Sequence, residues 1–490
     1  MKKLPGLALL TSLLLTPVLL AQHPVDPDVV AKIRAEGYAR SKALETFTYL
    51  TTSIGPRLTN SPAHRRAIEW TEEQLRAYGL ANVHAEPFAF GRGWQLERFS
   101  IEMLEPRYLP LIAFPRAWSP STQGRIVATP VWLPSATADV LTKAGASVKG
   151  AIVMTSPQQE YFIRADRPPA SGDLMTERSN APRLTREQQT ALAQALHAAG
   201  VGVTLEPNIG QHGTIFVTGR DAEADAVPAV VLASEHYNLV ARMLERKIPV
   251  KLAIDLQTRF FDQDRNTANV IAEIPGTDPA IGSEVVMVGA HLDSWHAGTG
   301  ATDNADGVTT VMEAFRILQA LGVKPRRTIR LALWAGEEQG LLGSRAYVQQ
   351  HLAGDANRAA RDKFSVYFNL DNGTVPITGF YLEGNDAMRP IMEAWLKPVA
   401  DLGALVATPK GIGATDHLSF RAVGLPGFQA VQSYEDYDVR THHTNMDTDE
   451  RVPKAALKQA AVVMATVLYE AAMVDAKVPR DGESERRAGR

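Results

Sequence analysis

The chain contains no cysteine among its 490 residues. It can therefore be neither a lipid-anchored lipoprotein nor a fold held by disulfides, and it must fold on its apolar core alone. It also lacks an excess of either charge, with a formal net charge of −3 at pH 7. This balance excludes the basic field expected of a nucleic-acid-binding protein and the acidity of a disordered chain. The length suggests two to three domains of about 150 residues.

Long apolar runs are also scarce, and the clearest one stands at the N-terminus. Lys2 and Lys3 precede an apolar stretch over residues 7–20, which is too short to span a bilayer, and Ala21 follows it. We expect residues 1–21 to be a signal peptide, with export to the periplasm or the medium; an uncleaved anchor is the alternative. No second run approaches the roughly 20 residues of a membrane helix, so we expect no membrane contact after cleavage.

The C-terminal half shows the alternation of an α/β fold. Apolar, strand-like runs at 284–290, 327–334, 364–370 and 426–431 are separated by helix-like segments. This order predicts a mixed, mostly parallel sheet flanked by helices on both faces.

Residues 116–261 have a different pattern, with short strands (213–219 among them), two helices and no chemical constellation. We expect them to form a smaller, β-rich α/β domain inserted into a discontinuous main domain of residues 22–115 and 262–478. The polar end, 479–490, is expected to be disordered.

Acidic or imidazole side chains follow each of the four predicted strands of the main sheet. Taken singly, each has an ordinary explanation, such as a helix cap or a first-turn charge. Because ligands bind beyond the carboxyl ends of strands in open α/β sheets, their coincidence carries more weight. So many acids at one edge would repel without cations, and imidazole mixed with carboxylate suits zinc. In strand order, the residues are His291, Asp293 and Asp303; Glu337 and Glu338; Asp371; and His442 and His443.

Four segments carry a family resemblance: "GAHLDSWHAGTGATDNADG", "LWAGEEQG", "NLDNGT" and "HHTNMDT". Together they resemble the co-catalytic di-zinc exopeptidases, which include bacterial leucyl aminopeptidases and plasma glutamate carboxypeptidase (carboxypeptidase Q). The resemblance covers roughly residues 40–115 and 262–475. It implies a phosphorylase/hydrolase-like fold, and the intervening stretch resembles the protease-associated domain inserted in this family.

The resemblance also implies a site with two Zn²⁺ ions per chain. Its five ligands are His291 and Asp371 on one ion, Glu338 and His443 on the other, and Asp303 as the bridge between them.

Further roles are implied for residues that do not bind metal. Glu337 would be the general base, Asp293 would orient His291, and Asp447 would do the same for His443. The family places its histidine directly before Thr or Ser, which favours His443 over His442 as the ligand and leaves His442 in the pocket.

The segment "TDHLSF" (415–420) has two interpretations. Asp416 and His417 either line the site and contact substrate, or they form a helix cap followed by an apolar turn.

The function expected from the resemblance is that of an exported zinc metallo-exopeptidase that removes terminal residues from short peptides. We favour aminopeptidase or dipeptidase activity over a carboxypeptidase of the glutamate carboxypeptidase type. A one-zinc glutaminyl cyclase and a catalytically dead, receptor-like ectodomain are the other candidates, and metal content separates them. Three roles are open for the inserted domain: capping the cleft, restricting substrate length, or mediating a homodimer.

Overall fold

The computed structural model describes residues 26–171, 185–223 and 226–480. The predicted signal peptide, part of the polar loop before residue 185 and nearly all of the predicted disordered tail lie outside these residues.

The strands of the described ranges form three sheets. They are β1 (Ala81–Ala89), β2 (Gly93–Glu105), β3 (Leu109–Pro110), β4 (Ala113–Pro115), β5 (Ile126–Ala128), β6 (Val131–Trp132), β7 (Ile152–Met154), β8 (Val203–Pro207), β9 (Ala229–Leu232), β10 (Lys251–Phe261), β11 (Asn266–Ile274), β12 (Val285–His291), β13 (Thr328–Trp334), β14 (Phe364–Asn369), β15 (Thr374–Tyr381), β16 (Val406–Thr408) and β17 (Gly427–Ser433).

The α-helices of the same ranges are α1 (Pro27–Ala39), α2 (Ala43–Thr48), α3 (Pro62–Ala77), α4 (Ala138–Ala144), α5 (Arg186–Ala198), α6 (Ser234–Glu245), α7 (Asp306–Ala320), α8 (Leu342–His351), α9 (Arg358–Lys363), α10 (Arg389–Leu396), α11 (His417–Arg421) and α12 (Lys454–Met473).

The main sheet has eight strands in the order β1-β11-β13-β12-β14-β17-β15-β16. Its centre, from β13 through β12 and β14 to β17, is parallel. Antiparallel pairs flank this centre, β1 with β11 and β11 with β13 on one side and β15 with β17 on the other. The predicted fold class, a mixed and mostly parallel sheet, is confirmed.

Helices cover both faces of this sheet because its central strands are apolar on both sides. Along β12, Val286 and Val288 pack in one core with helices α7 and α12. Met287 points the other way, into a second core that includes Tyr347 of α8 and Phe420 of α11. Strands buried on both faces are continuous apolar runs, which is why they were visible in the sequence.

Helix α12 is long and apolar enough to cross a membrane by length and composition, although most of it is buried inside the protein. The expectation that no second apolar run approaches this length was therefore wrong. A helix enclosed by its own domain is apolar all round and needs no polar face, and α12 packs against α7, α1 and β15.

The remaining strands form two smaller sheets, β3-β2-β10-β5 and β4-β9-β8-β7-β6. The chain leaves the main sheet between Ala89 and Gly93 and returns to it between Phe261 and Asn266. The predicted limits of the inserted domain, residues 116 and 261, stay a prediction.

The strand predicted at 213–219 does not form. Only isolated bridges occur there, from Phe216 to Thr444 and from Gly219 to Ala117. Phe216 thus pairs with the loop after β17 and Gly219 with the segment after β4, and neither partner belongs to a sheet strand.

Candidate active site

The four predicted strand ends meet at one edge of the main sheet. β13, β12, β14 and β17 are successive parallel neighbours, so their carboxyl ends coincide. His291 is the last residue of β12, and Asp371 lies two residues beyond the end of β14. The structure thus brings together side chains that lie up to 152 positions apart in the chain (His291 to His443).

The first group of donors surrounds the His291 imidazole. Its Nε2 lies 3.0 Å from Asp303 Oδ1 and 3.5 Å from Asp371 Oδ1. One ligand atom from each of these three buried residues lies within 4.8 Å of the other two. This spacing is that of a set of ligands able to converge on one ion.

The second group surrounds the His443 imidazole. Its Nε2 lies 2.8 Å from Glu338 Oε2 and 3.4 Å from Asp303 Oδ2. The two oxygens of Asp303 therefore face the two histidines separately, Oδ1 towards His291 and Oδ2 towards His443. A carboxylate so placed can bridge two ions.

Local backbone geometry delivers Asp303 to this position. Gly300 has φ +61°, and a Cβ there would collide with the side chain of Ser294. The π-helical turn Ala301–Ala305 follows, with Asp303 in a non-helical conformation at its centre. Glycine is required at 300 because no other residue accepts both the conformation and the close approach.

The donor set fits metal ions. Three buried donor atoms have no hydrogen-bond partner among the described residues: His291 Nε2, Asp303 Oδ2 and Glu338 Oε1. Buried polar atoms without partners are costly, and a bound cation would satisfy all three.

The titration of the groups agrees with a cation requirement. Burial raises the pKa of Glu338 to about 7, and the adjacent Asp303 carboxylate adds to the shift. Burial disfavours the charged form of His443, yet Glu338 and Asp303 together raise its pKa to about 9. Without a metal ion, these acids and imidazoles share protons, and a divalent cation would displace those protons on binding.

Glu337 lies beside this cluster and makes no ion pair with either histidine in the described structure. Its side chain is buried. Burial raises its pKa well above the ordinary value, and the Asp371 and Asp416 carboxylates add to the shift. A carboxylate poised to take up a proton is the property required of a general base.

The Asp293 side chain holds the turn that carries both glutamates. Its carboxylate accepts a hydrogen bond from Glu337 N (3.3 Å), and it also lies 3.4 Å from Glu338 N, which donates to it. The expected contact with His291 exists, but it runs through the Asp293 main-chain oxygen, 3.0 Å from His291 Nδ1. The carboxylate itself is 3.8 Å from that nitrogen.

Three supporting residues escaped the sequence analysis or were given another task. Thr59 Oγ1 donates to Asp293 Oδ2 at 2.8 Å. The buried guanidinium of Arg57 donates to the main-chain oxygens of Leu292 and Gly300. Asp447, expected to orient His443, instead accepts from Thr302 and from the Asp303 main-chain nitrogen. Arg57 and Thr59 lie in a Gly-Pro turn with no local motif that would have revealed their role.

His442 lies beside the second group, between Tyr437 and His443. Its ring stacks on Tyr437 at 5.0 Å between centroids and approaches His443 at 3.9 Å. One of its nitrogens also belongs to a group of ligand atoms with Asp303 and His443, all within 4.8 Å of one another. The geometry therefore leaves His442 as a second candidate donor.

Asp416 and His417 are buried near the site but face different partners. Burial raises the pKa of Asp416 to about 7, and its charge acts on Glu337. His417 Nε2 lies 3.1 Å from Glu383 Oε1, outside the metal-ligand groups of the described residues. Their predicted contact with substrate stays a prediction.

Comparisons with known proteins identify relatives of the chain. The model of peptidase family M28 matches residues 269–468. Carboxypeptidase Q from Bos taurus is 27% identical, covering 92% of this chain and 89% of that protein. Human carboxypeptidase Q shows the same figures.

Two solved structures share the fold. A peptidase M28 precursor from Shewanella amazonensis SB2B superposes with a TM-score of 0.69 and 26% identity, covering 92% of this chain and 98% of that chain. BSAP, a zinc aminopeptidase from Bacillus subtilis, gives a TM-score of 0.59 at 21% identity, covering 88% and 94%, and is similar in fold.

The α/β sheet and the imidazole and carboxylate donors at its edge define a metallopeptidase of the exopeptidase class. Residues 269–468 match peptidase family M28, and carboxypeptidase Q is similar over 92% of the chain. The chain is therefore related to the zinc exopeptidases.

Proposed function

We propose that the chain is a zinc exopeptidase with two metal ions in its active site, acting on the ends of short peptides. The observation that carries this proposal is the position of Asp303, whose two oxygens face His291 and His443 separately. One carboxylate shared by two donor groups is the arrangement that a two-metal hydrolase needs.

Zinc is the metal proposed because of the donor chemistry. Two imidazoles and three carboxylates suit zinc better than calcium or magnesium. His291 and Asp371 would hold one ion and Glu338 and His443 the other, with Asp303 between them. When bound, the ions polarise the scissile carbonyl and lower the pKa of water in the site.

The protein's own groups move the proton. Glu337 accepts a proton from the attacking water as the new C–O bond forms, and it passes this proton to the amine nitrogen as the C–N bond breaks. Asp293 keeps Glu337 in reach by accepting its main-chain N–H. The neighbour Glu338 faces the His443 group instead, so the two adjacent glutamates divide ligation and proton transfer between them.

We favour aminopeptidase or dipeptidase activity over carboxypeptidase activity, and we also propose export of the chain. The relatives named carboxypeptidase Q support the carboxypeptidase alternative, and the fold neighbour named a zinc aminopeptidase supports the aminopeptidase alternative.

The test uses zinc-loaded protein with free, N-acetylated and C-amidated dipeptides, and Glu337→Ala as the control. An aminopeptidase cuts the C-amidated peptide and spares the N-acetylated one, whereas a dipeptidase requires both ends free. Cleavage of the N-acetylated peptide alone would reverse the preference. Absence of cleavage of all three, with both ions bound, would contradict the exopeptidase function itself.

A further inference from the structure

The loop after β17 carries His443 in a conformation that needs outside support. We call residues 434–445 the histidine loop. His443 lies in this loop with φ +60°, in the left-handed region that residues other than glycine seldom adopt. Such a backbone persists only where its surroundings hold it.

Part of that support comes from outside the main sheet, from the segment 213–217. Val217 N donates to the main-chain oxygen of His443 at 3.0 Å. Asn445 N donates to Ile215 O at 3.2 Å, and Asn445 Oδ1 accepts from Ile215 N at 2.7 Å. These bonds hold the main chain at His443, the metal-binding candidate, and at Asn445 two positions after it.

A second support is a buried ion pair between Arg167 and Asp438. Their side chains are 1% and 0% exposed. Arg167 donates to Asp438 Oδ2 through both its main-chain N and its Nε, each at 2.8 Å, and its Nη2 donates to Oδ1. The preceding residue, Asp166, accepts from the main-chain nitrogens of Asp436 and Val439 at 2.9 and 3.0 Å.

The ion pair connects to the metal site through stacked rings. The Arg167 guanidinium lies 4.4 Å from the ring centre of Tyr434 and 5.9 Å from that of Tyr437. Tyr437 stacks on His442 at 5.0 Å, and His442 contacts His443 at 3.9 Å. Three contacts therefore connect Arg167 with His443: Arg167 with Tyr437, Tyr437 with His442, and His442 with His443.

We infer that Arg167 is a positioning residue: by bonding Asp438 it fixes the histidine loop and holds the His443 imidazole towards Glu338 and Asp303. The inserted region would thereby complete one half of the metal centre, while the His291 and Asp371 half stands at strand ends of the main sheet. This inference rests on the proposed function, since it assigns His443 to a metal ion. Removing the Arg167 guanidinium would leave the Asp438 carboxylate buried without its partner. The histidine loop would then move so that water reaches this carboxylate.

The test is Arg167→Met, which keeps the chain length and removes the fork of donors. Its matched control is Arg116→Met. Arg116 forms its ion pair with Glu206 rather than with a residue of the histidine loop, and this pair is more exposed, at 37% and 31%. Zn²⁺ binding to each purified full-length protein is titrated by calorimetry, and melting temperature and the kinetics of dipeptide cleavage are measured beside it.

We expect Arg167→Met to weaken one of the two Zn²⁺ sites at least tenfold and to leave the other within twofold. The control should leave both unchanged. The kcat of Arg167→Met should be closer to the wild-type value at saturating zinc than at limiting zinc. Arg167→Lys should restore part of the lost zinc affinity. Should Arg167→Met fail to fold, Asp438→Asn, which keeps the shape of the partner, is read in the same way.

Unchanged Zn²⁺ affinity at both sites of Arg167→Met would overturn the inference. Equal weakening of both sites would also overturn it, because general destabilisation of the protein has that effect. Failure of the proposed function would be visible separately. The wild-type protein would then bind zinc at two sites without cleaving any peptide. The zinc titration of Arg167→Met would still test whether Arg167 affects one site selectively.

Discussion

Thr59→Val tests whether the support beneath the glutamate pair matters as the structure indicates. The Thr59 hydroxyl is fully buried and donates to the Asp293 carboxylate at 2.8 Å. Valine has nearly the same shape, so the substitution removes one hydrogen bond to a charged acceptor and opens no cavity. Such a bond contributes about 1.5–3 kcal/mol, and no water can replace it at this depth. We expect the free energy of unfolding to fall by about 2 kcal/mol. We also expect kcat to fall about tenfold, because Asp293 holds the turn of Glu337 and Glu338.

The matched control is Thr71→Val in helix α3. The Thr71 hydroxyl is equally buried, but it donates to helix carbonyls, those of Ala67 and Ile68. That loss should cost about 0.5–1 kcal/mol and leave kcat unchanged. Urea unfolding and dipeptide cleavage would be measured for both variants. Equal unfolding free energies and equal kcat values in the two variants would refute the supporting role assigned to Thr59.

Two further predictions concern metal binding and pH. His443→Ala should lower the zinc content, measured by elemental analysis, from two ions to one. His442→Ala should retain two ions and change KM. Loss of an ion in His442→Ala and not in His443→Ala would exchange the roles of the two histidines. Glu470, buried in α12, has its pKa raised by burial from the ordinary 4.5 to about 7. The folded protein binds the Glu470 proton more tightly than the unfolded chain does. The contribution of Glu470 to the free energy of unfolding therefore falls as pH rises from 4.5 to 7. Glu470→Gln should therefore gain about 2 kcal/mol of unfolding free energy on wild type between pH 5 and pH 8. A pH-independent difference between the two proteins would contradict the buried charge.

The parts of the fold visible in the sequence were those with strong periodicity or clear caps. The central strands were found because burial on both faces makes them continuous apolar runs. Helix α3 begins with local signals of this kind: the Ser61 side chain caps it, and Pro62 stands at its first position. The co-location of the four strand ends followed from their parallel order alone.

The supporting contacts could not be read in the same way, since they join segments far apart in the chain. Thr59 reaches Asp293 across 234 positions and Arg167 reaches Asp438 across 271. Neither lies in a motif, and an isolated Thr or Arg is usually a surface residue. The segment 213–219 looked like a strand, but its partner is an irregular loop, and no sequence period encodes that pairing.

The most direct measurement compares Glu337→Gln with Glu338→Gln for zinc content and dipeptide cleavage in the same preparations. We predict that Glu337→Gln keeps two zinc ions per chain and loses at least 10³-fold in kcat, as expected when a general base and its electrostatic contribution are removed. Glu338→Gln should lose one ion together with activity. Full activity in Glu337→Gln with both ions bound, or loss of an ion there and not in Glu338→Gln, would contradict the division of tasks between the two glutamates.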